Sequence, residues 1–382
     1  MPDQIFRIIR PKFVALDSSH LGAVAADKTS TDHTQQARAK AFEQAFAESG
    51  SVLLLCWDHL QELFSHKGED VAAQRVAYLR SLPMVAAIAS FRKEDLIGSV
   101  TDLQSFEIAA AFQNPAMEVE AVRNEAAKSM FRLTSGADLV RPFLESWTAL
   151  RAGFIESEER TREVVAISKS NFADNSDAKM VDLLNDELRT PQDMQRQFQR
   201  LHDRLAADIR ERGDKRIPDA EQSSKEFFEE VFRFGVKAIH PDNPGLRILQ
   251  ASGLDLSDIG PDTTLADVGD LAVFRRKLEV LNRKLRLPWQ ELIAKVKEER
   301  LPSGVIYNAI RRFHPDTREW DGSELTDRHL ACLSAYADVT YVDKRTHEAS
   351  RQARSKSQAF ASVARHIEKA RTYAEIADQL GQ

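Results

Sequence analysis

Three short, continuous apolar runs near the N-terminus, Phe13–Leu16, Val52–Cys56 and Met84–Ala89, constrain this chain more than any other feature. Each is shorter than an ordinary helix and lacks the polar alternation of a strand with one wet face. Each therefore reads as a strand buried on both sides. The stretches between them have a helical period. Gln35 to Glu48 is Ala-rich, Asp58 stands where it can cap a helix carrying Leu60, Leu63 and Phe64 on one face, and Val71 to Leu82 ends at Pro83. Strands alternating with helices predict a mostly parallel α/β sheet.

From about Phe91 the alternation gives way to long, charged segments of helical period. The expected organisation is a core built from residues 1–90 and 322–382 around an all-helical insertion of residues 91–321. The clearest helix of that insertion runs from Pro191 to Arg212, with Thr190 and Asp193 as a capping-box-like pair and Gly213 at its end. Its apolar stripe is Met194, Phe198, Leu201, Leu205 and Ile209. A second helix carries Phe227, Phe228, Val231 and Phe232 as core, and a basic one carries Arg275, Arg276, Lys277, Arg283, Lys284 and Arg286. The basic helix reads as a solvated face before it reads as a track for a nucleic-acid backbone. Pro241 to Gly245 and Gly260 to Thr264 punctuate the insertion as loops. Beyond it, Asp327 opens an apolar helical stretch and Val339–Val342 is a short strand ending at Asp343. Thr372 and Glu375 make a capping box before Ile376 and Leu380.

Charge and cysteine usage narrow the function classes. Across 382 residues, 53 Lys and Arg stand against 59 Asp and Glu, a net charge of −6 that excludes a general polycationic grip on nucleic acid. Cys56 and Cys332 are far apart, each in an apolar stretch, which suits reduced buried thiols and a cytoplasmic setting. No apolar run approaches the roughly 18 residues of a membrane span, and Met1 to Ile9 carry no signal-peptide pattern. Glycine-rich phosphate loops and His/Cys zinc spacings are absent.

The chemistry concentrates in acids. Asp17 and Asp343 each end an expected strand, and in open α/β sheets ligands bind at the carboxyl ends of strands. About 11 helical residues rise roughly 16 Å and about five strand residues return the same distance, so Asp327 is expected beside Asp343. Glu62, about one turn into the helix after the second strand, is expected at the same edge. Four carboxylates at one place repel unless cations neutralise them, and oxygen-only ligands suit Mg²⁺ or Mn²⁺. Such ions activate water against phosphodiesters.

Phe13-Val14-Ala15-Leu16-Asp17-Ser18-Ser19 resembles the first motif of the PIN-domain nucleases, and Trp57-Asp58-His59-Leu60-Gln61-Glu62-Leu63 the second. Thr326-Asp327-Arg328-His329-Leu330 is similar to the third, and Val339-Thr340-Tyr341-Val342-Asp343-Lys344 to the fourth. The resemblance covers residues 10 to 90 and 322 to 346, about a third of the chain. It implies a PIN-like three-layer α/β/α core and a metal-dependent nuclease, with RNA as the favoured substrate and Asp17, Glu62, Asp327 and Asp343 as catalytic metal ligands. Where many members carry Asn two residues after the first acid, this chain has Ser19, and its insertion is larger than in compact members. Lys344 and Arg345 are secondary candidates for holding phosphate.

Plainer readings stand beside these. Asp17 can begin a turn, Asp327 can cap a helix, and Asp338 reads as a loop residue. The alternative to a nuclease is a non-catalytic PIN-like scaffold whose insertion binds a protein partner or nucleic acid. His240-Pro241-Asp242 and His314-Pro315-Asp316 resemble the tripeptide of J-domain co-chaperones, but the compact J-domain pattern around them is missing.

Overall fold

The computed structural model describes residues 11–93, 95–170, 177–181, 191–236, 249, 253–314 and 323–380. The chain begins with β1 (Lys12–Leu16), α1 (Ser18–Thr29), α2 (His33–Glu48), β2 (Ser51–Leu55), α3 (Trp57–Phe64), α4 (Glu69–Ser81) and β3 (Val85–Ile88). It continues through α5 (Val100–Gln113), α6 (Val119–Met130), β4 (Phe131–Thr134), α7 (Gly136–Val140) and α8 (Trp147–Lys169). Next come α9 (Pro191–Arg212), α10 (Ala220–Val236), α11 (Leu265–Leu285), α12 (Trp289–Lys295), α13 (Pro302–Phe313) and α14 (Glu324–Ala331). It closes with β5 (Val339–Tyr341), α15 (Lys344–Lys356), α16 (Gln358–Val363), β6 (His366–Glu368) and α17 (Tyr373–Leu380).

Six strands form one sheet in the order β4-β3-β2-β1-β5-β6, parallel throughout except for β4, which pairs antiparallel with β3. Side chains alternate across it as the pleat requires. Phe13, Ala15, Val52, Leu54, Ala86 and Ile88 face one core together with α5, α6, α13, α15 and α16. Val14, Leu16, Leu53, Leu55, Val85 and Ala87 face another with α1 to α4 and α17. Helices on both faces leave the inner strands no wet side, which is why their sequences are continuous apolar runs.

The chain divides into two compact units. The sheet unit comprises Met1–Ser157, Ala294–Asp316 and Thr326–Gln382; the other comprises Glu158–Ile293 and Thr317–Leu325. The expected boundaries at 91 and 321 are thus corrected: residues 91–157 and 294–316 belong with the sheet. The reason is physical. The β4 side chains are half-buried or exposed, so no apolar run announces the strand, and a helical period says nothing about which partner a helix packs on. The buried carboxylate of Glu107 on α5 shows the tie: it accepts from the Ser303 N–H at 3.0 Å, the Ser303 hydroxyl at 2.5 Å and the Tyr336 hydroxyl at 2.8 Å.

The second unit is helical in its described part. Val165, Ala166, Leu205, Ile209 and Phe228 form one of its cores, with Phe198, Leu201 and Phe227 against it. The helix expected from Pro191 to Arg212 is present, and the Gly213 N–H closes it on the Ile209 carbonyl. Thr190, the side chains of Asp193, Met194, Val231 and Phe232, the 241–245 loop and the first His-Pro-Asp tripeptide lie outside the described residues. One expectation for the basic helix is corrected. Arg275 is buried and pairs with Asp258 at 2.6 Å while donating to the Gly253 carbonyl at 3.1 Å, so it is not part of a solvated face. No helix among the described residues is long and apolar enough to cross a membrane.

Candidate functional site

Strand order locates the candidate site before any side chain is considered. From β1 the chain steps to β2 and β3 on one side, whereas β5 and β6 add on the other side. The crevice between the carboxyl ends of β1 and β5 is therefore the topological switch point, where open α/β sheets leave room for a ligand. Asp17 and Asp343 are the residues there. The backbone N–H of Asp17 donates to the Tyr341 carbonyl at 2.9 Å, which holds the two strand ends side by side.

Both acids are helix N-caps. The Asp17 carboxylate accepts from the Ser19 N–H at 2.7 Å at the start of α1. The Asp343 carboxylate accepts from the Thr346 N–H at 2.8 Å and the Arg345 N–H at 3.1 Å at the start of α15. Each carboxylate thereby satisfies N–H groups that the first turn of its helix would leave without a partner. This changes the expected electrostatics, because amide donors already offset part of the repulsion that seemed to demand a cation.

Asp17, Asp327 and Asp343 line one cavity, together with His59, Thr340 and the apolar side chains of Leu330 and Leu333. The cavity is small, about 10 Å³, room for roughly one water molecule. Asp327 arrives by a route that differs from the expected one. It lies within α14, which begins at Glu324 and ends at Ala331, and a 3₁₀ turn over Cys332–Ala335 completes the passage toward β5. That turn rises about 2.0 Å per residue against about 1.5 Å in an α-helix, which restores the reach.

Glu62 is not among the residues lining this cavity. It is half-buried on α3, close enough to Arg75 for its charge to oppose the fall in that guanidinium's pKa caused by burial. The position of α3 that reaches the cavity is His59, almost one turn earlier. His59 is buried, and its Nδ1 accepts from the Cys56 N–H at 3.1 Å. Its Nε2 therefore carries the proton and donates to the Leu16 carbonyl at 3.0 Å. Burial holds the ring pKa below its usual value, against the pull of Asp58, so the imidazole is neutral and ties α3 to the residue before Asp17. Sequence reasoning passed over it because it belongs to no metal-binding pair. The available signal was a histidine three residues after a strand-ending Cys56, the spacing of a capping box.

The other named residues take structural positions. Asp58 is not the N-cap of its own helix, a place Cys56 takes; its carboxylate accepts from the Val100 N–H at 2.9 Å and so adds to the cap of α5, where Ser99 and Asp102 form a capping box. Asp338 accepts from the Phe13 N–H at 2.7 Å and pairs with Arg365 at 2.5 Å. Ser19, Lys344 and Arg345 are exposed and do not line the cavity, although Ser19 and Arg345 present backbone N–H groups to the two acids. Cys56 and Cys332 are buried free thiols, and burial raises the Cys56 pKa well above its usual value, which keeps it protonated. The nearby His20 ring is also held neutral by burial, against the charge of Asp17.

Two observations test whether this cavity suits a hard divalent cation. Apart from His59, whose two ring nitrogens are engaged, and Tyr341, its ionisable side chains are carboxylates, and the buried hydroxyl of Thr340, another lining residue, has no hydrogen-bond partner, so a water or a hydrated ion would satisfy it. Yet among the described residues no three His, Cys, Asp or Glu side chains gather around one point where an ion would touch them all. The described side chains thus offer carboxylates and an unpaired hydroxyl at one cavity but no ready-made cation cage. No protein-family model, curated protein or solved structure matches this chain.

Proposed function

We propose that the sheet unit is a PIN-like, Mg²⁺- or Mn²⁺-dependent phosphodiesterase acting on nucleic acid, with RNA favoured by the resemblance of its motifs. The observation that carries this reading is the convergence of Asp17, Asp327 and Asp343 on one cavity at the switch point of the sheet. One or two of these three aspartates would touch the cation directly and the rest would act through its waters, with Glu62 contributing at most through solvent. A cation so held would supply an activated water and charge stabilisation for the leaving oxygen.

The chain's own residues prepare that chemistry. The helix-terminal N–H groups hold the Asp17 and Asp343 carboxylates in place at the strand ends. His59 has both ring nitrogens engaged, so it positions the end of β1 and takes no proton from water. The Thr340 hydroxyl can orient a water at the cavity wall. A second reading, a PIN-like scaffold without catalysis, is favoured by one observation: both oxygens of Asp343 are already engaged as a helix cap.

Cleavage of labelled single-stranded RNA, single-stranded DNA and duplex DNA, with Mn²⁺, Mg²⁺ or EDTA, separates the two. Asp17→Asn and Asp343→Asn are suitable variants because the Asn carbonyl oxygen still caps the helix, through one of the two N–H groups that Asp343 holds, while the charge is removed. Metal-dependent cutting that both variants abolish supports the nuclease. No cutting by the wild type, together with no Mn²⁺ binding in calorimetry, leaves the scaffold.

A further inference from the structure

The amino-terminal edge of the same sheet, opposite the acid cavity, carries a different chemistry. Lys12, Val339 and His366 are the first residues of β1, β5 and β6, three neighbouring parallel strands. With Asp338, Arg354, Ala364 and Arg365 they line an open cavity of about 660 Å³, the size of a small-molecule site. The lining holds three permanent cations and one histidine against a single acid. That acid is spoken for, since Asp338 accepts from the Phe13 N–H through one oxygen and pairs with Arg365 through the other.

The two guanidinium groups are held in place and the cations remain in surplus. Arg354 donates to the carbonyls of Ala364 and Arg365, which fixes its guanidinium at the rim. The Lys12 ammonium has no hydrogen bond or ion pair among the described residues. A second cavity of about 170 Å³, lined by Arg123, Phe131 and Tyr336 among others, shares Arg365 with the first. In a chain of net charge −6, this concentration of fixed guanidinium groups around a ligand-sized hollow is a local reversal of sign.

The geometry points to a binding site for a small phosphate-bearing ligand of nucleotide size at the amino-terminal edge of β1, β5 and β6, held by Lys12, Arg354 and Arg365. Guanidinium groups pair with phosphate oxygens in a bidentate fork, and a lysine adds a point charge. The assignment is independent of the acid cavity, because the two lie at opposite ends of the strands.

Calorimetric titration of the full chain with pyrophosphate, ADP and a ten-nucleotide single strand, without divalent metal, tests it. Pyrophosphate and ADP are expected to bind, more weakly as salt rises. Affinity should fall at least about tenfold in Lys12→Gln combined with Arg354→Gln, which removes two charge-assisted contacts. Lys12→Gln alone breaks no side-chain hydrogen bond or ion pair among the described residues and should already weaken binding severalfold, and Asp17→Asn should leave it unchanged. No binding of pyrophosphate or ADP, or equal binding by the double variant, overturns the site. Binding of the oligonucleotide alone assigns the patch to a polymer and overturns the small-ligand assignment.

Discussion

Replacing His59 by Leu gives the sharpest test of how the candidate site is held together. The imidazole joins two buried backbone groups, the Cys56 N–H and the Leu16 carbonyl, at 3.1 and 3.0 Å. Leucine fills similar space and offers neither an acceptor nor a donor. Each buried group left unpaired costs about 1–3 kcal/mol, so the variant should lose about 2–6 kcal/mol in urea unfolding near pH 7.5. The pH dependence supplies a second signature. Burial lowers the folded-state pKa of His59, so below the ordinary histidine value of about 6.5 the unfolded chain binds a proton that the folded chain refuses. Stability from this residue is full above that value and drains as pH falls, at up to about 1.4 kcal/mol per pH unit. His59→Leu should lose that component while the similarly lowered His20 keeps its own. A loss under about 0.5 kcal/mol at pH 7.5, or an acid slope identical to wild type, would falsify the role assigned to His59.

Three further outcomes follow from contacts that span distant segments. Glu107→Leu leaves the donors of Ser303 and Tyr336 unpaired in the core and should cost about 3 kcal/mol or more, read as a lowered urea midpoint. Asp58→Ala removes the cap at Val100 and should cost about 0.5–2 kcal/mol, whereas Asp58→Asn should cost much less; equal losses would refute the capping role. In Gly136→Ala the new methyl would sit 1.8 Å from the Leu79 carbonyl oxygen, so α7 must shift, and thermal unfolding should show a loss of about 1–3 kcal/mol.

The two acids at the switch point were legible because their signal is local: an apolar run that ends on Asp marks both a strand and the residue at its tip. Asp327 was legible only through a length argument, and that argument reached the right cavity through a different helix start. Glu62 was misplaced for a related reason. The sequence shows that a helix follows β2 but not its rotation, and that rotation, set by His59 reaching the Leu16 carbonyl, puts His59 at the cavity and Glu62 beside Arg75. The basic edge left no signal at all, because Lys12 lies hundreds of residues before Arg354 and Arg365 and meets them only when β1, β5 and β6 align.

Local pattern by itself determined that this chain builds parallel strands buried on both faces, with acids at the ends of β1 and β5. Hydrophobic periodicity and strand-end chemistry are properties of a few consecutive residues. Tertiary structure alone decided that residues 91–157 and 294–316 join the sheet unit, that Asp58 caps α5 instead of α3, and that Arg275 turns inward to Asp258. Each of those outcomes depends on which distant partner offers a buried group its hydrogen bond or its apolar contact, and no short window of sequence contains both partners.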